Sequence, residues 1–203
     1  MHSGYPYIPC LRQTGAERFA LGDQQLSVDL LSFWQWSASD LVSNATRGRL
    51  AEYIVAMAVG LTSGVRNEWD AFDLKINGYK IEVKASGYLQ SWAQQRLSRP
   101  IFSIRPARGW DPITGRMQNE IRRQSDLYVF CLQHHQEKTT LNPLDLMQWS
   151  FYVMPTNRLD EYPQFQKAKT ISLTSLLSLK PVHASFKDLN KSIAESLETL
   201  DGG

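Results

Sequence analysis

The dipeptide Asn77-Gly78 separates two runs in which apolar residues alternate with charged ones, residues 69–76 and residues 79–86. Both turn residues tolerate positive φ, which makes this dipeptide the strongest short signal for a two-residue β-hairpin turn. Alternation with a period of two is typical of strands that have one apolar face. The sequence therefore predicts a hairpin, and its short turn fixes which residues of the two strands lie opposite each other.

Folding the two runs over this turn pairs apolar residues with apolar residues, so the register is self-consistent. The expected pairs are Ile76 with Tyr79, Lys75 with Lys80, Leu74 with Ile81, Asp73 with Glu82, Phe72 with Val83, and Ala71 with Lys84. On the charged face Asp73 and Glu82 repel each other, and a hard cation such as Mg²⁺ would relieve that repulsion. The alternative is an ordinary solvated face, on which Lys80 and Lys84 neutralise Asp73.

Two aspartates, Asp70 and Asp73, precede the charged residues of the second strand. Strand parity selects Asp73, because odd-numbered residues before the turn share a face with Glu82 and Lys84. Asp70 falls opposite Ala85, on the apolar face near the start of the strand. A one-residue bulge in the first strand would exchange the two aspartates.

Length and composition restrict the class of protein. The chain has 203 residues and is 42% hydrophobic, which predicts one globular domain with a full core. Its 22 basic and 20 acidic residues nearly cancel, so binding to a polyanion would depend on local clusters. Cys10 and Cys131 form no disulfide framework, which favours a reduced, cytoplasmic protein. Neither a signal peptide nor a membrane span is predicted.

The segments before the hairpin predict an irregular arm over residues 1–25 and then two helices. The first helix is capped by Ser27, and its apolar residues are expected to pack against the core; they are Leu30, Leu31, Phe33, Trp34 and Trp36. The second runs from the cap Asn44 to Gly60. Its apolar segment carries one charge, Glu52, so the helix is expected to be buried. Glu52 either pairs with Arg49 on the helix surface or points into a site.

Strands and helices are also expected after the hairpin. Predicted strands cover residues 100–105, 125–132 and 148–154, a loop covers 109–123, and a strand-to-helix segment and an amphipathic helix occupy about 170–200. The strand 125–132 is apolar almost throughout and is expected at the centre of the sheet. Together these elements predict an α/β fold with a mixed central sheet flanked by helices, and a core of about residues 44–155.

Four residues resemble the motif of the PD-(D/E)XK nuclease superfamily: Glu52, Asp73, Glu82 and Lys84. The resemblance covers roughly residues 44–132 and implies a restriction-endonuclease-like αβββαβ core. It consists of a helix with one carboxylate, an Asp-Leu strand, a hairpin, and Glu-Val-Lys in the next strand. Phe72 stands where the superfamily has a proline, and the nine-residue step from Asp73 to Glu82 is shorter than usual. Asp70 has the more usual spacing of twelve.

The resemblance implies Mg²⁺-dependent hydrolysis of nucleic acid, with Mn²⁺ able to substitute. Asp73, Glu82 and the Val83 carbonyl would hold the metal, with Glu52 as an outer or third carboxylate. Lys84 would position or polarise the attacking water, whose pKa the metal lowers.

Gln90 lies six residues after Lys84 and is similar to a glutamine that some superfamily members use near the site. An ordinary loop amide is the alternative interpretation.

The segment of residues 96–123 contains seven arginines and no lysine, and its only acidic residues are Asp111 and Glu120. The arginines are Arg96, Arg99, Arg105, Arg108, Arg116, Arg122 and Arg123. Guanidinium groups match phosphate oxygens, so this segment predicts nucleic-acid binding, with Tyr88 and Trp92 stacking on bases. The alternatives are a solvated loop and core positions for the two aromatic residues.

Two functions therefore remain open. The first is a metal-dependent endonuclease that acts on DNA rather than RNA and could work as a homodimer. The second is a catalytically silent module on the same fold that binds nucleic acid or serves in assembly. All four motif positions carry chemically competent residues, which favours the nuclease. His134-His135 lacks the spacing of a metal finger, and the sequence has no phosphate-binding glycine loop.

Overall fold

The structure is a computed structural model, and it describes residues 4–201. The strands in this range are β1 (Arg18–Leu21), β2 (Gln24–Asp29), β3 (Leu74–Ile76), β4 (Tyr79–Gly87), β5 (Ile101–Ser103), β6 (Ala107–Asp111), β7 (Arg116–Arg122), β8 (Leu127–Gln133), β9 (Trp149–Pro155), β10 (Thr170–Ser172) and β11 (Val182–Ala184). The α-helices are α1 (Leu30–Ala38), α2 (Asn44–Ala58), α3 (Asn157–Asp160), α4 (Pro163–Gln166), α5 (Leu173–Ser178) and α6 (Phe186–Asp201).

Five strands form a mixed central sheet in the order β11-β9-β8-β4-β3. β4 and β8 are parallel, and the other neighbours are antiparallel. All seven residues of β8 are buried, as its apolar run predicted. The α/β class, with a mixed sheet flanked by helices, is confirmed.

The period of two along the strands divides the apolar side chains into two cores, one on each face of the sheet. Val129 and Cys131 of β8 pack with residues of α2 and α6 on one face. Tyr128 and Phe130 pack on the other face, where the rings of Phe130 and Phe102 meet edge to face with centroids 5.2 Å apart. Such a pair contributes about 1 kcal/mol beyond its buried area. Neither face of the sheet centre is left to water.

The predicted hairpin forms with the predicted register. β3 and β4 pair Leu74 with Ile81, Lys75 with Lys80 and Ile76 with Tyr79. Asn77 and Gly78 have φ values of 50° and 94°, as a two-residue hairpin turn requires.

The first strand of the hairpin is shorter than predicted, because regular pairing stops at Leu74 instead of extending back to residue 69. The Asp73 N–H donates to the Ile81 carbonyl at 3.0 Å, although Ile81 already faces Leu74. This bulge turns the chain away, and the Phe72 ring lies 5.6 Å from the Lys80 ammonium. The expected pairs of Asp73, Phe72 and Ala71 are therefore absent from the described ladder.

The N-terminal segment is more regular than the predicted arm, since β1 and β2 pair as an antiparallel hairpin. The first three residues of the predicted arm lie outside the described part of the chain. α1 is capped by Asp29, whose carboxylate accepts from the Ser32 N–H at 2.8 Å, whereas Ser27 lies within β2. No residue of α1 is buried, so the predicted packing of its apolar residues against the core is wrong.

The connection from β4 to the parallel strand β8 also differs from the prediction. The expected third strand, residues 100–105, forms β5, which pairs with β10 outside the central sheet. The expected loop over 109–123 contains most of the β6–β7 hairpin, whose turn includes Gly115 at φ 64°. Residues 88–126 contain no α-helix. Of the strands before β8, only β3 and β4 belong to the central sheet.

The other predicted elements are confirmed with small shifts. α2 is capped by Ser43 rather than Asn44, and Gly60 follows its end with φ 75°. β9, the β10–α5 segment and α6 appear where expected. α6 buries Leu189, Ile193 and Leu197 at helical spacing. Within residues 4–201, no helix has the length and apolar character needed to cross a membrane.

We expect Gly87→Ala to lower the free energy of unfolding by about 1–3 kcal/mol, because the site is already packed. A Cβ at Gly87 would lie 3.1 Å from Nη1 of the buried Arg47 and 3.3 Å from the Gln133 carbonyl. Arg47 cannot easily move, since its guanidinium donates to the Leu89 carbonyl at 2.6 Å. Gly48→Ala is the matched control, because open space surrounds that helical position. It should raise the free energy by up to about 1 kcal/mol, and urea titrations that reverse this order would contradict the packing described.

Candidate active site

Four charged side chains converge beside the open edge of β4. Lys84 Nζ lies 3.9 Å from Asp73 Oδ2 and forms a closer ion pair with Glu82 Oε1. Glu52 reaches the same cluster from α2, and its charge interacts with those of Asp73 and Lys84. These side chains are at most 26% exposed, so they do not form the ordinary solvated face that was the alternative.

The bulge at the start of β3 fixes the Asp73 side chain. In a regular antiparallel pair, the Val83 N–H would donate to the backbone of the next opposing residue, Phe72. Instead it donates to Asp73 Oδ2 at 2.7 Å. The N–H and C=O of one strand residue point to the same side, so the Val83 carbonyl faces this edge too. The carboxylate of Asp73 and the carbonyl of Val83 therefore lie on one side of β4.

Neighbouring carboxylates keep Lys84 protonated, whereas burial makes Glu82 harder to ionise. Burial raises the pKa of Glu82, and this effect outweighs the neighbouring Lys84 ammonium. Burial acts to lower the pKa of Lys84, but the Glu82 and Asp73 carboxylates outweigh it, and the pKa is raised. The cluster thus holds a protonated Lys84 among carboxylates, of which Glu82 is harder to ionise than a carboxylate in water.

Arg66 is a member of the site that the sequence analysis missed. Its Nη2 donates to Glu52 Oε1 at 3.1 Å, its Nε forms a closer contact with the same carboxylate, and its Nη1 pairs with Glu68. Burial raises the pKa of Glu52 in spite of this partner. Arg66 lies fourteen residues after Glu52, in a loop, so the helical spacing that pointed to Arg49 could not find it.

A cavity of about 250 Å³ adjoins the cluster. Glu52 and Asp73 line it together with Tyr53, Arg66 and Asp70. Asp70 is exposed at this cavity, where its carboxylate accepts from the Asn67 side chain at 2.9 Å. The cavity gives a ligand an approach to the carboxylates of Glu52 and Asp73, whereas Glu82 and Lys84 do not line it.

Gln90 lies in a separate set of contacts. Its N–H donates to Gln94 Oε1 at 2.7 Å, and its Nε2 donates to Ser98 Oγ at 3.3 Å. These bonds tie the loop after β4 together and do not reach the carboxylates, which matches the interpretation of Gln90 as a loop amide.

The arginine-rich segment divides into exposed and buried members. Six of its arginines are exposed: Arg96, Arg99, Arg105, Arg108, Arg116 and Arg122. The seventh, Arg123, is buried, donates to the Ile104 carbonyl at 3.0 Å and pairs with Asp160. Its charge is paired inside the protein, which argues against its predicted contact with nucleic acid. Trp92 is 57% exposed, and Tyr88 packs against the second core.

Among residues 4–201, no three acidic, histidine or cysteine side chains are gathered as a ready-made metal centre. The carboxylates are held by cationic partners instead: Lys84 pairs with Asp73 and Glu82, and Arg66 pairs with Glu52. With all groups ionised, three carboxylates face two cationic groups, so the formal charge of the cluster is negative.

A protein-family model matches a range of the chain that includes this whole site. No curated protein matches the chain. Residues 31–175, more than two thirds of the chain, match the family described as bacteriophage T4 endonuclease IV. The matched range extends from α1 to α5 and includes the carboxylate cluster and the arginine-rich segment. The chain therefore belongs to the bacteriophage T4 endonuclease IV family, a family of nucleases.

Proposed function

We propose that the protein is a metal-dependent DNA endonuclease of the PD-(D/E)XK superfamily with its catalytic centre at Asp73, Glu82 and Lys84. One observation carries the proposal: an ammonium group lies beside two carboxylates at the edge of β4, 3.9 Å from Asp73 and closer to Glu82. Membership of an endonuclease family supports the reaction class.

The oxygen donors of the cluster suit Mg²⁺, which prefers carboxylate and carbonyl oxygens. Asp73, Glu82 and the Val83 carbonyl would hold the metal, and Glu52 would act as an outer carboxylate. Burial raises the pKa values of Glu52 and Glu82, and a bound cation would offset this cost of ionising them. When bound, Mg²⁺ would lower the pKa of a water molecule and neutralise charge that develops on the phosphate. Mn²⁺ accepts similar ligands.

The residues of the chain would contribute orientation and charge. The Val83 N–H holds Asp73 in a fixed position. Lys84 remains protonated, because its carboxylate neighbours raise its pKa, and can therefore donate a hydrogen bond to a water molecule or a phosphate oxygen. Arg66 restrains Glu52 at the wall of the cavity. A phosphodiester that enters the cavity would thus meet a preorganised set of charges.

The direct test is to incubate the pure protein with supercoiled plasmid in Mg²⁺ or in EDTA. We expect nicked and linear plasmid with Mg²⁺ only, and a loss of about a hundredfold or more in Glu82→Gln and Lys84→Met. Circular dichroism should show both variants folded, because neither change disturbs the apolar face of β4. Binding of DNA without cleavage by the wild-type protein would instead support the catalytically silent module, and variants that cleave normally would remove these residues from the site.

A further inference from the structure

The strands β1 and β2 and the helix α1 form an N-terminal unit, residues 15–38, whose apolar side chains are not buried. Neither of the two hydrophobic cores of the described chain includes a residue of this unit. Every residue of β1 is exposed, and in β2 only Asp29 is partly buried. A two-stranded hairpin is at best marginally stable in water unless its apolar face packs against something. A single chain therefore does not supply the burial that would stabilise this unit.

The apolar side chains of the hairpin share one face. Leu21 lies opposite Gln24 in the β1–β2 ladder, and the register shift between Arg18 and Ala20 spans an even number of residues. Because side chains alternate between faces along each strand, residues with the parity of Leu21 and Gln24 share their face. Four apolar residues lie there, each 39–73% exposed: Phe19, Leu21, Leu26 and Val28. The opposite face carries the other strand residues: Arg18, Ala20, Gln25, Ser27 and Asp29.

Hydrogen bonds hold the hairpin and the helix in one arrangement. The N–H groups of Leu30 and Leu31 donate to the carbonyls of Glu17 and Gly15 at 2.8 and 2.9 Å, which ties the start of α1 to the segment around the start of β1. Gly15 has a φ of 95°, and a Cβ at that position would lie 3.2 Å from the Trp34 ring. The unit thus presents its apolar side chains in a defined geometry.

The exposed apolar area of the unit is that of a dimer interface. α1 exposes Leu31, Phe33, Trp34 and Trp36, the last of them by 84%. If a whole large side chain has about 200 Å² of surface, the hairpin face and α1 each expose roughly 400 Å². A stable specific interface buries about 800 Å² of each partner, whereas the largest apolar patch of a typical monomer has about 300–600 Å².

The charges of the unit favour a second copy of the chain as the partner. The unit has one basic residue, Arg18, against Glu17, Asp23 and Asp29. Binding to nucleic acid depends on lysines and arginines that neutralise phosphates, and helices that lie on membranes carry such residues on their polar face. Neither the apolar hairpin face nor α1 carries a charge, so two copies related by a two-fold axis bring no like charges together.

We propose that the N-terminal unit is the interface of a homodimer, in which the apolar faces of two β1–β2 hairpins pack on each other. Two amphipathic sheets that pack face to face, about 10 Å apart, bury their inner side chains, and a two-fold interface brings the same patch of each copy together. Both strands precede residues 31–175, the range that matches the endonuclease family. The inference therefore does not depend on the proposed catalytic function.

The test is the mass of the full-length chain in solution, measured by light scattering after size exclusion and by sedimentation at micromolar concentrations. We expect a dimer. Leu21→Lys/Leu26→Lys should raise its dissociation constant by about a hundredfold or more, because ammonium groups would face each other in a desolvated interface. The matched control is Gln25→Lys/Ser27→Lys, which adds the same charge to the opposite face of the hairpin. The control should remain a dimer.

Hydrogen exchange of the wild-type protein gives a second measurement that needs no substitution. Dilution should dissociate the dimer and remove its support from the hairpin, so the amides of β1 and β2 should exchange faster at lower protein concentration. The amides of β4 and β8, in the central sheet, should exchange at a rate that does not depend on concentration.

Four results would overturn the proposed interface. A wild-type monomer at every concentration would remove the dimer, and a dimer that persists in Leu21→Lys/Leu26→Lys would place the interface elsewhere. Equal dissociation of the control would assign the effect to added charge in general. Protection of β1 and β2 that does not change with dilution would show that the hairpin needs no partner. Plasmid cleavage enters none of these measurements, so this proposal and the proposed function can fail separately.

Discussion

Asp73→Asn should reduce plasmid cleavage by about a thousandfold, while Asp70→Asn should change it by no more than about threefold. The Asp73 carboxylate accepts from the Val83 N–H at 2.7 Å and lies 3.9 Å from the Lys84 ammonium. Asparagine keeps an oxygen for that N–H but deletes the charge that a metal ion and Lys84 require. Asp70 is exposed and bonds to Asn67. Initial rates with plasmid and Mg²⁺ measure the difference.

The two substitutions form a matched pair, because each removes one charge at nearly constant volume. Thermal unfolding of both variants should stay close to that of the wild type, which separates loss of chemistry from loss of fold. If Asp70→Asn were inactive and Asp73→Asn active, the metal-binding aspartate would be the one with the more usual superfamily spacing. The cluster at the edge of β4 would then lose its assigned role.

Arg123→Ala should lower the free energy of unfolding by about 2–4 kcal/mol, whereas Arg122→Ala should change it by about 0.5 kcal/mol or less. Arg123 donates to the carbonyls of Ile104 and Phe165 and pairs with Asp160, so its removal leaves buried acceptors without donors. Arg122 is half exposed and has one surface ion pair, with Glu120. Urea titrations of the two variants give the comparison.

The contrast between these neighbours also governs how DNA-binding variants are interpreted. Charge reversal at Arg123 would place a carboxylate inside the protein, and any weaker binding would then report unfolding. Equal stability of the two alanine variants would show that the buried contacts of Arg123 carry little free energy. Contacts other than those of Arg123 would then have to hold the base of the β6–β7 hairpin against the rest of the protein.

Local rules predicted the parts of the fold that local geometry determines. The Asn77-Gly78 turn set the hairpin register. The side chains of Asp73, Glu82 and Lys84 do meet, but Asp73 reaches the others through a bulge and a bond from the Val83 N–H, not through the regular pairing that strand parity assumed. The same rules overestimated the length of the first strand, because the bulge at Asp73 depends on the contact of its side chain with Val83. That contact competes with regular pairing and leaves no mark in the alternating pattern.

Contacts between distant segments were outside the reach of sequence patterns. Arg66 meets Glu52 from a loop fourteen residues away, and Arg123 is buried while the adjacent Arg122 is exposed. Arg122 and Arg123 are adjacent and carry the same charge, so only the tertiary fold distinguishes the buried residue from the exposed one. The β6–β7 hairpin was missed for a related reason: nearly all of its residues are exposed, so its strands lack the apolar alternation that marks a half-buried strand.

The short first strand of the hairpin has a consequence for solubility. It leaves β4 without a strand partner beyond Ile81 on that side, and unpaired edges can recruit strands from other molecules and start aggregation. The Val83 N–H has no strand partner on that side and donates to the Asp73 carboxylate instead, and the Lys84 ammonium places a charge beside it. Natural sheets use charges in this way to block edge-to-edge pairing. We therefore expect substitutions of Asp73 and Lys84 to affect aggregation of the protein as well as the proposed catalysis.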